Sequence, residues 1–289
     1  MTSKLIKLGF IALSLLVTGC QSLPNLDGRT QTLAYSKEEV ADTYFAKVLT
    51  ALEQEHGTEK SGIYPLIEAD EAFAARMLLA KYAQRSLDVQ YYIWRQDMTG
   101  TMLFEALHEA AERGVRVRLL LDDNNTSAAE PILLALNSHE NIEVRLFNPF
   151  MVRAPRWWGF LTDFSRLNRR MHNKSFIADN SFSIIGGRNI GDEYFGATDD
   201  VLFADLDILS VGAAVQEVST DFDKYWHSAS SYPLERVVPN GRGISLQELR
   251  ARSQSIAGSP GAQQYVESLR ESELIRQLEQ RSIDFEWLQ

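Results

Sequence analysis

Between residues 62 and 228, the apolar positions of the chain follow two different periods. Apolar residues recur about every three to four positions in the segments 69–85, 100–113 and 213–226, which predicts helices. Short β-branched and aromatic runs lie around them, at 87–94, 115–122, 142–147, 174–179, 182–185 and 205–211. A strand, a helix and a second strand in this order predict a right-handed crossover and a parallel pair. The pattern therefore predicts an α/β sandwich with a central mixed, largely parallel sheet flanked by helices.

Residues 1–19 have the pattern of a secretory signal. Lys4 and Lys7 precede an apolar run at 8–17, which is too short to cross a bilayer as a helix. The run ends in Val17-Thr18-Gly19-Cys20, which resembles the bacterial lipobox, and Cys20 is the only cysteine of the chain. The resemblance implies lipidation of Cys20 and a periplasm-facing membrane anchor, with the outer membrane favoured over the inner by Gln21. A simple signal peptide with an incidental cysteine is the alternative.

The segments on either side of the sandwich are more polar. Residues 20–61 predict a tether followed by a helix at 36–55, which begins with a capping pattern of Ser36 and Glu39. Residues 229–289 combine several prolines and glycines with two polar helical stretches. This last segment has too few apolar positions for a core of its own, so we interpret it as a polar helical tail or linker.

Composition narrows the classes of ligand. The 29 Lys and Arg residues against 39 Asp and Glu give a net charge of −10, whereas nucleic-acid binders generally carry a clustered positive surplus. We therefore expect no nucleic-acid partner. A single cysteine excludes an internal disulfide and a zinc site built from several thiolates.

One segment concentrates residues that suit phosphate chemistry, in the spacing HxKx4Dx6GGxN. Its members are His172, Lys174, Asp179, Gly186, Gly187 and Asn189. Residues i and i+2 of a strand share a face, so an imidazole and an ammonium project together. Two glycines at the end of the next strand allow a phosphate to approach the backbone amides and the Asn189 amide. Asp179 falls on the opposite face, where a role in the turn is favoured over one in chemistry.

This spacing resembles the HKD signature of the phospholipase D superfamily, and residues 188–195 resemble the bacterial cardiolipin-synthase branch. The segments 87–94 and 119–126 extend the resemblance over most of residues 62–228. The resemblance implies a phospholipase D-like sandwich and attack of His172 on phosphorus, with Lys174 and Asn189 offsetting charge on the phosphate oxygens. It implies no metal and no cofactor. A carboxylate at the start of the following strand should orient the imidazole, which selects Asp205, with Asp207 in reserve.

The chain departs from the family in having one HKD motif, because no other histidine has a lysine two positions later. Family members use two motifs, and the second histidine protonates the leaving alcohol. Either two copies pair, or the chain is the first half of a longer enzyme, which the coreless tail favours. The function we expect is a membrane-anchored phosphatidyltransferase of the cardiolipin-synthase type. The alternatives are a nuclease or other phosphodiesterase, and an inactive half-enzyme lipoprotein.

The segment 150–171 is locally basic and aromatic. It carries five arginines against one aspartate, mixed with Trp157, Trp158 and three phenylalanines. Such a surface suits contact with anionic headgroups. The equally open alternative is an amphipathic helix whose apolar residues, Leu161, Phe164, Leu167 and Met171, face the core. Likewise, Asp122, Asp123 and Asn124 after a strand suit either a plain turn or the lining of a ligand crevice.

Overall fold

The computed structural model describes residues 23–198, 203, 205–279 and 283–289. The predicted signal segment and Cys20 lie outside these residues. The strands are β1 (Ser61–Leu66), β2 (Ser86–Tyr91), β3 (Arg116–Asp122), β4 (Ile142–Phe147), β5 (Ser175–Ala178), β6 (Phe182–Gly186), β7 (Asp207–Gly212), β8 (Ser231–Pro233) and β9 (Glu286–Leu288). The helices are α1 (Lys37–Val40), α2 (Tyr44–His56), α3 (Ala69–Tyr82), α4 (Met98–Glu112), α5 (Glu130–Asn137), α6 (Trp157–Leu167), α7 (Asp192–Phe195), α8 (Ala213–Trp226), α9 (Leu234–Val237), α10 (Leu246–Ala257), α11 (Pro260–Arg270) and α12 (Glu273–Glu279).

The strands form one mixed sheet in the order β8-β4-β3-β2-β5-β6-β7-β1-β9. The pairs β2–β3 and β3–β4 are parallel, as the strand–helix–strand order predicts. The other pairs are antiparallel, so the mixed sheet flanked by helices is confirmed but the expectation of a largely parallel sheet is wrong. For the pair β5–β6 the reason is local, since a short turn can join antiparallel strands only. The directions of the other antiparallel pairs, such as β2–β5, are set by packing between distant segments.

Alternation along the strands separates two apolar layers. Val117, Leu119 and Leu121 of β3 face the main core beneath α3 and α4, whereas Leu120 joins a smaller cluster beneath α8. Period 2 of the strand explains this division. The helix predicted over 213–226 is present within the same bounds, and the one predicted at 36–55 is divided into α1 and α2, with Thr43 capping the second. No helix of the described residues is both long and apolar enough to span a bilayer.

Residues 23–35 are docked along the domain and do not form the free tether that the polar sequence suggested. Arginine side chains of the domain donate to their carbonyl groups: Arg236 to Asn25 and Asp27, Arg145 to Thr30, Arg118 to Thr32, and Arg116 to Leu33. Arg118 and Arg145 are almost fully buried. Buried guanidinium groups need acceptors, and the backbone of this segment supplies them.

The segment from residue 229 onwards also packs on the same unit. Its helices α10, α11 and α12 contact α3 and α4, and β9 pairs with the edge strand β1. Leu249, Tyr265, Leu274 and Phe285 are buried in the main core. Few apolar residues are needed because the segment completes an existing core rather than building one. The interpretation as a linker is therefore wrong for its described residues, which form an outer layer of the domain.

Candidate active site

The hairpin β5–β6 holds the predicted motif at its two ends. Ser175 pairs with Ile185, which places Lys174 beside Gly186 at the open end. Asp179 and Asn180 occupy the turn at the other end with positive φ angles of 48° and 45°. The Asp179 carboxylate is fully buried and accepts the backbone N–H groups of Gln84, Arg85 and Ser86 at 2.7 to 3.1 Å. The structure therefore does not bring Asp179 together with the other motif residues.

His172 and Lys174 lie together at the open end of the hairpin. The Lys174 Nζ atom is 3.1 Å from Nδ1 and 3.5 Å from Nε2 of His172, and it donates to the His172 carbonyl at 2.7 Å. The His172 ring is solvent-exposed and lies 4.8 Å from the Tyr92 ring, whereas Lys174 is buried. Burial and the Lys174 charge lower the pKa of His172, against an opposing effect of Asp205. A lowered pKa keeps the imidazole neutral, which is the form that can attack phosphorus.

The two glycines leave room that side chains would fill. A Cβ atom on Gly186 would lie 2.1 Å from Asp207 Oδ1, and one on Gly187 would lie 2.5 Å from Asp205 Oδ1. Both carboxylates therefore approach the backbone of the glycine pair closely. Gly186 is exposed and Gly187 partly so, but the Gly187 N–H already donates to the Leu206 carbonyl at 3.0 Å. The expected approach of a phosphate to this backbone amide is therefore not supported, and the carboxylates occupy the space beside the glycines.

Asn189 is oriented by the segment that follows β2. Its Oδ1 atom accepts the Ile93 N–H at 3.0 Å, and the side chain is buried. Ile93 and Ile190 also exchange backbone contacts, with Ile190 N–H donating to the Ile93 carbonyl at 3.1 Å. With its oxygen occupied, the Asn189 carboxamide keeps its NH2 group, which also hydrogen-bonds to the Tyr194 hydroxyl and has a second N–H to donate.

The two carboxylates considered for orienting the imidazole differ in their surroundings. Asp205 is half-buried and acts electrostatically on both His172 and Lys174. No hydrogen bond joins Asp205 to the His172 ring among the described residues. Asp207 is completely buried, where its Oδ2 atom is 2.8 Å from Arg76 and its Oδ1 accepts the Arg188 N–H at 3.1 Å. Because Asp207 already pairs with Arg76, Asp205 is the carboxylate that can still accept a hydrogen bond from the imidazole.

The pair Asp122 and Asp123 anchors the chain that leads into His172. Asp122 is fully buried, accepts the Met171 N–H at 2.8 Å and pairs with Arg170 at 3.0 Å. Burial raises the pKa of Asp122 to about 6, against an opposing effect of Arg170. Asp123 accepts the Phe150 N–H at 2.7 Å and pairs with Arg153. From the sequence, this pair could form a plain turn or line a ligand crevice. The signal for the crevice was its position directly after a strand, because the crevices of parallel sheets open at the carboxyl ends of the strands.

The basic aromatic segment splits into buried pairs and exposed rings. Four of its arginines pair with carboxylates of the domain: Arg153 and Arg156 with Asp123 and Glu130, Arg166 with Asp163, and Arg170 with Asp122. Leu167 and Met171 are buried, as the core-facing alternative predicts. Leu161 and Phe164 are instead exposed, so that alternative is wrong for them.

A cavity of about 520 Å³ lies beside the open end of the hairpin. It is bordered by Asn173, Lys174 and Gly186 together with Asp221 and Lys224 of α8. No three His, Cys, Asp or Glu side chains converge as metal ligands within the part of the chain that the structure describes.

Comparison with known proteins places this geometry in a family. A family model described as "Cardiolipin synthase, PLD-like domain" matches residues 78–226, which contain the whole motif and every strand from β2 to β7. The chain belongs to this family. Membership of the phospholipase D superfamily and its cardiolipin-synthase branch, which the motif suggested, is therefore confirmed, as is the sandwich fold.

Relatives within the cardiolipin synthase family are longer than this chain. Cardiolipin synthase C of Escherichia coli (strain K12) is 56% identical over 192 residues, which cover 66% of this chain and 41% of that protein. The cardiolipin synthase of Oceanobacillus iheyensis is 29% identical over 174 residues, covering 60% and 34%. The solved structure of phosphatidylserine synthase from Haemophilus influenzae Rd KW20 has 14% identity and a TM-score of 0.47, covering 72% and 47%. The chain thus spans about two fifths or less of the curated relatives named here.

Proposed function

We propose that the chain carries a phosphatidyl-transfer site of the cardiolipin-synthase type, in which His172 becomes bonded to the phosphorus of a phospholipid. The observation that carries this proposal is the contact of 3.1 Å between Lys174 Nζ and His172 Nδ1 at the exposed end of the hairpin. It joins a neutral nucleophile and a buried cation in a cardiolipin synthase family member. That combination suits attack on an anionic phosphodiester.

In the first step, Nε2 of His172 attacks phosphorus, an N–P bond forms and the bond from phosphorus to the headgroup oxygen breaks. Lys174 and the Asn189 NH2 group stabilise the negative phosphate oxygens, and the departing oxygen takes a proton from a general acid. In the second step, an alcohol or water oxygen bonds to phosphorus, the N–P bond breaks, and the acid regains its proton.

The ring proton must move before Nε2 can attack. Lys174 can only donate, so its contact of 3.1 Å requires an unprotonated Nδ1, and the ammonium must leave Nδ1 for the phosphate when that atom takes the ring proton. Attack through Nε2 requires the proton on Nδ1, where a carboxylate can accept it. We assign that position to Asp205, because it acts on His172 electrostatically while Asp207 is bound to Arg76.

A second histidine is needed as the general acid, a contribution of about 10²–10⁴ in rate. We propose that it comes from a second HKD half, supplied by another copy of this chain or by a further segment of a longer protein. The length of the relatives is consistent with the latter. We further propose that lipidation of Cys20 holds the site at a periplasm-facing membrane surface, where the phospholipid substrate is found.

The test is to incubate the full chain with phosphatidylglycerol vesicles, quench with denaturant at neutral pH, and measure both the intact mass and the lipid products. We expect a phosphatidyl adduct on His172, with cardiolipin or phosphatidic acid as product. His172→Ala should lose both, whereas the matched control His56→Ala should retain both. Equal turnover by His172→Ala and the unsubstituted chain would refute the proposal.

Two further arms of the same experiment separate the alternatives. Cleavage of DNA in preference to lipid would identify a nuclease. Specific activity that rises with protein concentration would show that a second copy supplies the acid, whereas an adduct without turnover at any concentration would show that a further half is required.

A further inference from the structure

Tyr92 contacts both the proposed nucleophile and its cation, although it is not part of the motif. Its ring lies 4.8 Å from the His172 ring, measured between centroids, at an interplanar angle of 45°. The Lys174 Nζ atom lies over the same ring, 5.7 Å from its centroid. One side chain therefore bridges the two groups on which the proposed reaction depends.

The sheet brings Tyr92 to this position. Tyr92 directly follows the end of β2, and Gln90 of β2 pairs with Ser175, the first residue of β5. Because the two strands are antiparallel, the residue after β2 lies beside the residues that precede β5, which belong to the motif. The next residue of the chain is fixed as well, since the Ile93 N–H donates to Asn189 Oδ1 at 3.0 Å. The backbone at Tyr92 is thus held between the sheet and a motif residue.

The hydroxyl group fixes the outer end of the Tyr92 side chain. Asn124 Nδ2 donates to Tyr92 Oη at 3.3 Å, and the Asn124 N–H donates to Asp122 Oδ1 at 2.9 Å. The other carboxylate oxygen of Asp122 accepts the Met171 N–H at 2.8 Å. These contacts form a closed path that begins at the backbone before His172 and returns to its imidazole ring through Tyr92. One connected set of residues therefore holds the nucleophile at both its backbone and its ring.

An aromatic ring suits this place better than a charged side chain would. The face of the ring attracts the Lys174 ammonium but carries no net charge, so it does not repel an anionic phosphodiester. A carboxylate in the same place would neutralise the cation. The ring also displaces water from one side of His172, and burial is the largest cause of the lowered pKa of this imidazole. The contact thus favours the neutral ring that the proposed attack requires.

We propose that Tyr92 is a positioning residue for the nucleophile: its ring holds the His172 imidazole beside the lysine ammonium, and Asn124 holds the ring through the hydroxyl group. This inference rests on the proposed function for the reaction in which His172 acts. It also assigns a role to Asn124, for which the sequence allowed either a plain turn or the lining of a crevice.

Two substitutions separate the ring from the hydroxyl group. Tyr92→Leu removes the ring, whereas Tyr92→Phe keeps the ring and loses only the contact with Asn124. Tyr82→Leu is the matched control, because Tyr82 is 46% exposed and has Lys81 Nζ over its ring, 5.4 Å from the centroid. Tyr82 precedes the start of β2, whereas Tyr92 follows its end.

The first readout is the titration of the imidazole, which needs no turnover. With ring-labelled histidine in the full chain, NMR follows the His172 pKa through the signal that is absent from His172→Ala. The charged groups that act on His172 are Lys174 and Asp205, and all the tyrosine variants retain both. We expect the pKa to rise in Tyr92→Leu, because the ring no longer shields the imidazole from water, and to stay unchanged in Tyr92→Phe and Tyr82→Leu.

The second readout is the rate of adduct formation with phosphatidylglycerol vesicles at about pH 8, where the imidazole is neutral. We expect the maximal rate per folded molecule to fall about tenfold or more in Tyr92→Leu with little change in KM, because misplacement of a reacting group costs rate rather than binding. Tyr92→Phe should stay within about threefold of the unsubstituted chain, and Tyr82→Leu should match that chain.

An unchanged His172 pKa or an unchanged rate in Tyr92→Leu would overturn the proposal. Equal losses in Tyr92→Leu and Tyr92→Phe would also overturn it, because the hydroxyl group and not the ring would then act. So would a change confined to KM, because Tyr92 would then bind the lipid rather than position the nucleophile. If the unsubstituted chain forms no adduct, the transfer proposal fails, and the titration still decides whether Tyr92 holds the imidazole.

Discussion

The two ends of the β5–β6 hairpin carry charged residues of one motif in opposite environments. At the turn, the Asp179 carboxylate is fully buried and its negative charge is met by three backbone N–H groups. At the open end, Lys174 has hydrogen bonds to His172 only and no ion pair within the described residues. A buried charge that is fully hydrogen-bonded stabilises the fold, whereas a cation without an ion pair beside an exposed histidine is available to an anionic ligand. On this difference we propose a structural role for Asp179 and a role in the chemistry for Lys174.

The largest effect in this comparison should come from the open end. Lys174→Met removes the buried cation and keeps most of the volume of the side chain. We expect the rate of adduct formation with phosphatidylglycerol to fall about 10²–10³-fold, because a preorganised cation no longer offsets the developing charge. Urea unfolding should change little, since Lys174 has no carboxylate partner among the described residues. A loss of stability with an unchanged rate would reverse the assignment.

At the turn, the expected effect is on stability. Asp179→Asn keeps a residue that tolerates a positive φ of 48° but replaces one acceptor oxygen by a donor that faces backbone N–H groups. We expect the free energy of unfolding to fall by about 2 kcal/mol, the cost of leaving buried donors without a partner. The rate per folded molecule should match that of the unsubstituted chain. A drop in this rate without loss of stability would place Asp179 in the chemistry.

Much of the fold was predictable because it depends on local patterns. The 3.6-residue period of α8 and the alternation of β3 lie within single segments, and β7 begins within two residues of its prediction. Strand direction was less accessible, since the pairing of β5 with β2 is decided by long-range packing. The role of residues 229–289 was also not predicted. Polar helices that complete the core of a distant segment have the same sequence pattern as a polar helical linker.

The candidate site shows the same division. The spacing of the motif was enough to predict that His172, Lys174 and the two glycines lie at one end of a hairpin. Other contacts were not predictable, because they join distant segments. Asp122 and the Met171 N–H are 49 positions apart, and Arg153 and Arg170 form ion pairs with carboxylates of another loop. A basic run in a sequence does not reveal whether its charges are already paired.

Asp122 lies outside the hairpin but accepts the backbone N–H of Met171, the residue before His172. Asp122→Asn retains an acceptor for the Met171 N–H but removes the negative charge that faces Arg170. We expect a decrease of about tenfold in rate, since misplacement of a catalytic group is costly, with little change in KM. Asp163→Asn is the matched control, because Asp163 also pairs with an arginine of the segment, Arg166, but its side chain is 42% exposed and it does not accept the Met171 N–H. Equal rates in both variants would exclude a positioning role for Asp122.

The smallest expected effect is in the pH dependence, which separates the two titrating groups near the site. The proposed attack requires neutral His172, whose pKa is lowered from the ordinary value of about 6.5. Its protonation should therefore reduce the rate only below that pH. Asp122, with a pKa of about 6, binds a proton more readily in the folded than in the unfolded chain. Protonation of Asp122 therefore favours folding, whereas protonation of His172 lowers the rate. The stabilisation by protonated Asp122 is present at low pH and is lost as the pH rises through 6.

Two substitutions assign the acid limb of the rate profile. Asp205→Asn removes the group that raises the pKa of His172, so a limb due to His172 should move to lower pH. Asp122→Asn should leave that limb in place while removing the fall in unfolding free energy between about pH 4 and 6. The measurements are the pH dependence of adduct formation and of urea unfolding for each variant. The opposite result would be a limb that disappears in Asp122→Asn and stays fixed in Asp205→Asn. The proton that stops the reaction would then bind to the Asp122 carboxylate and not to the imidazole, and the neutral form of His172 would not be what limits the rate.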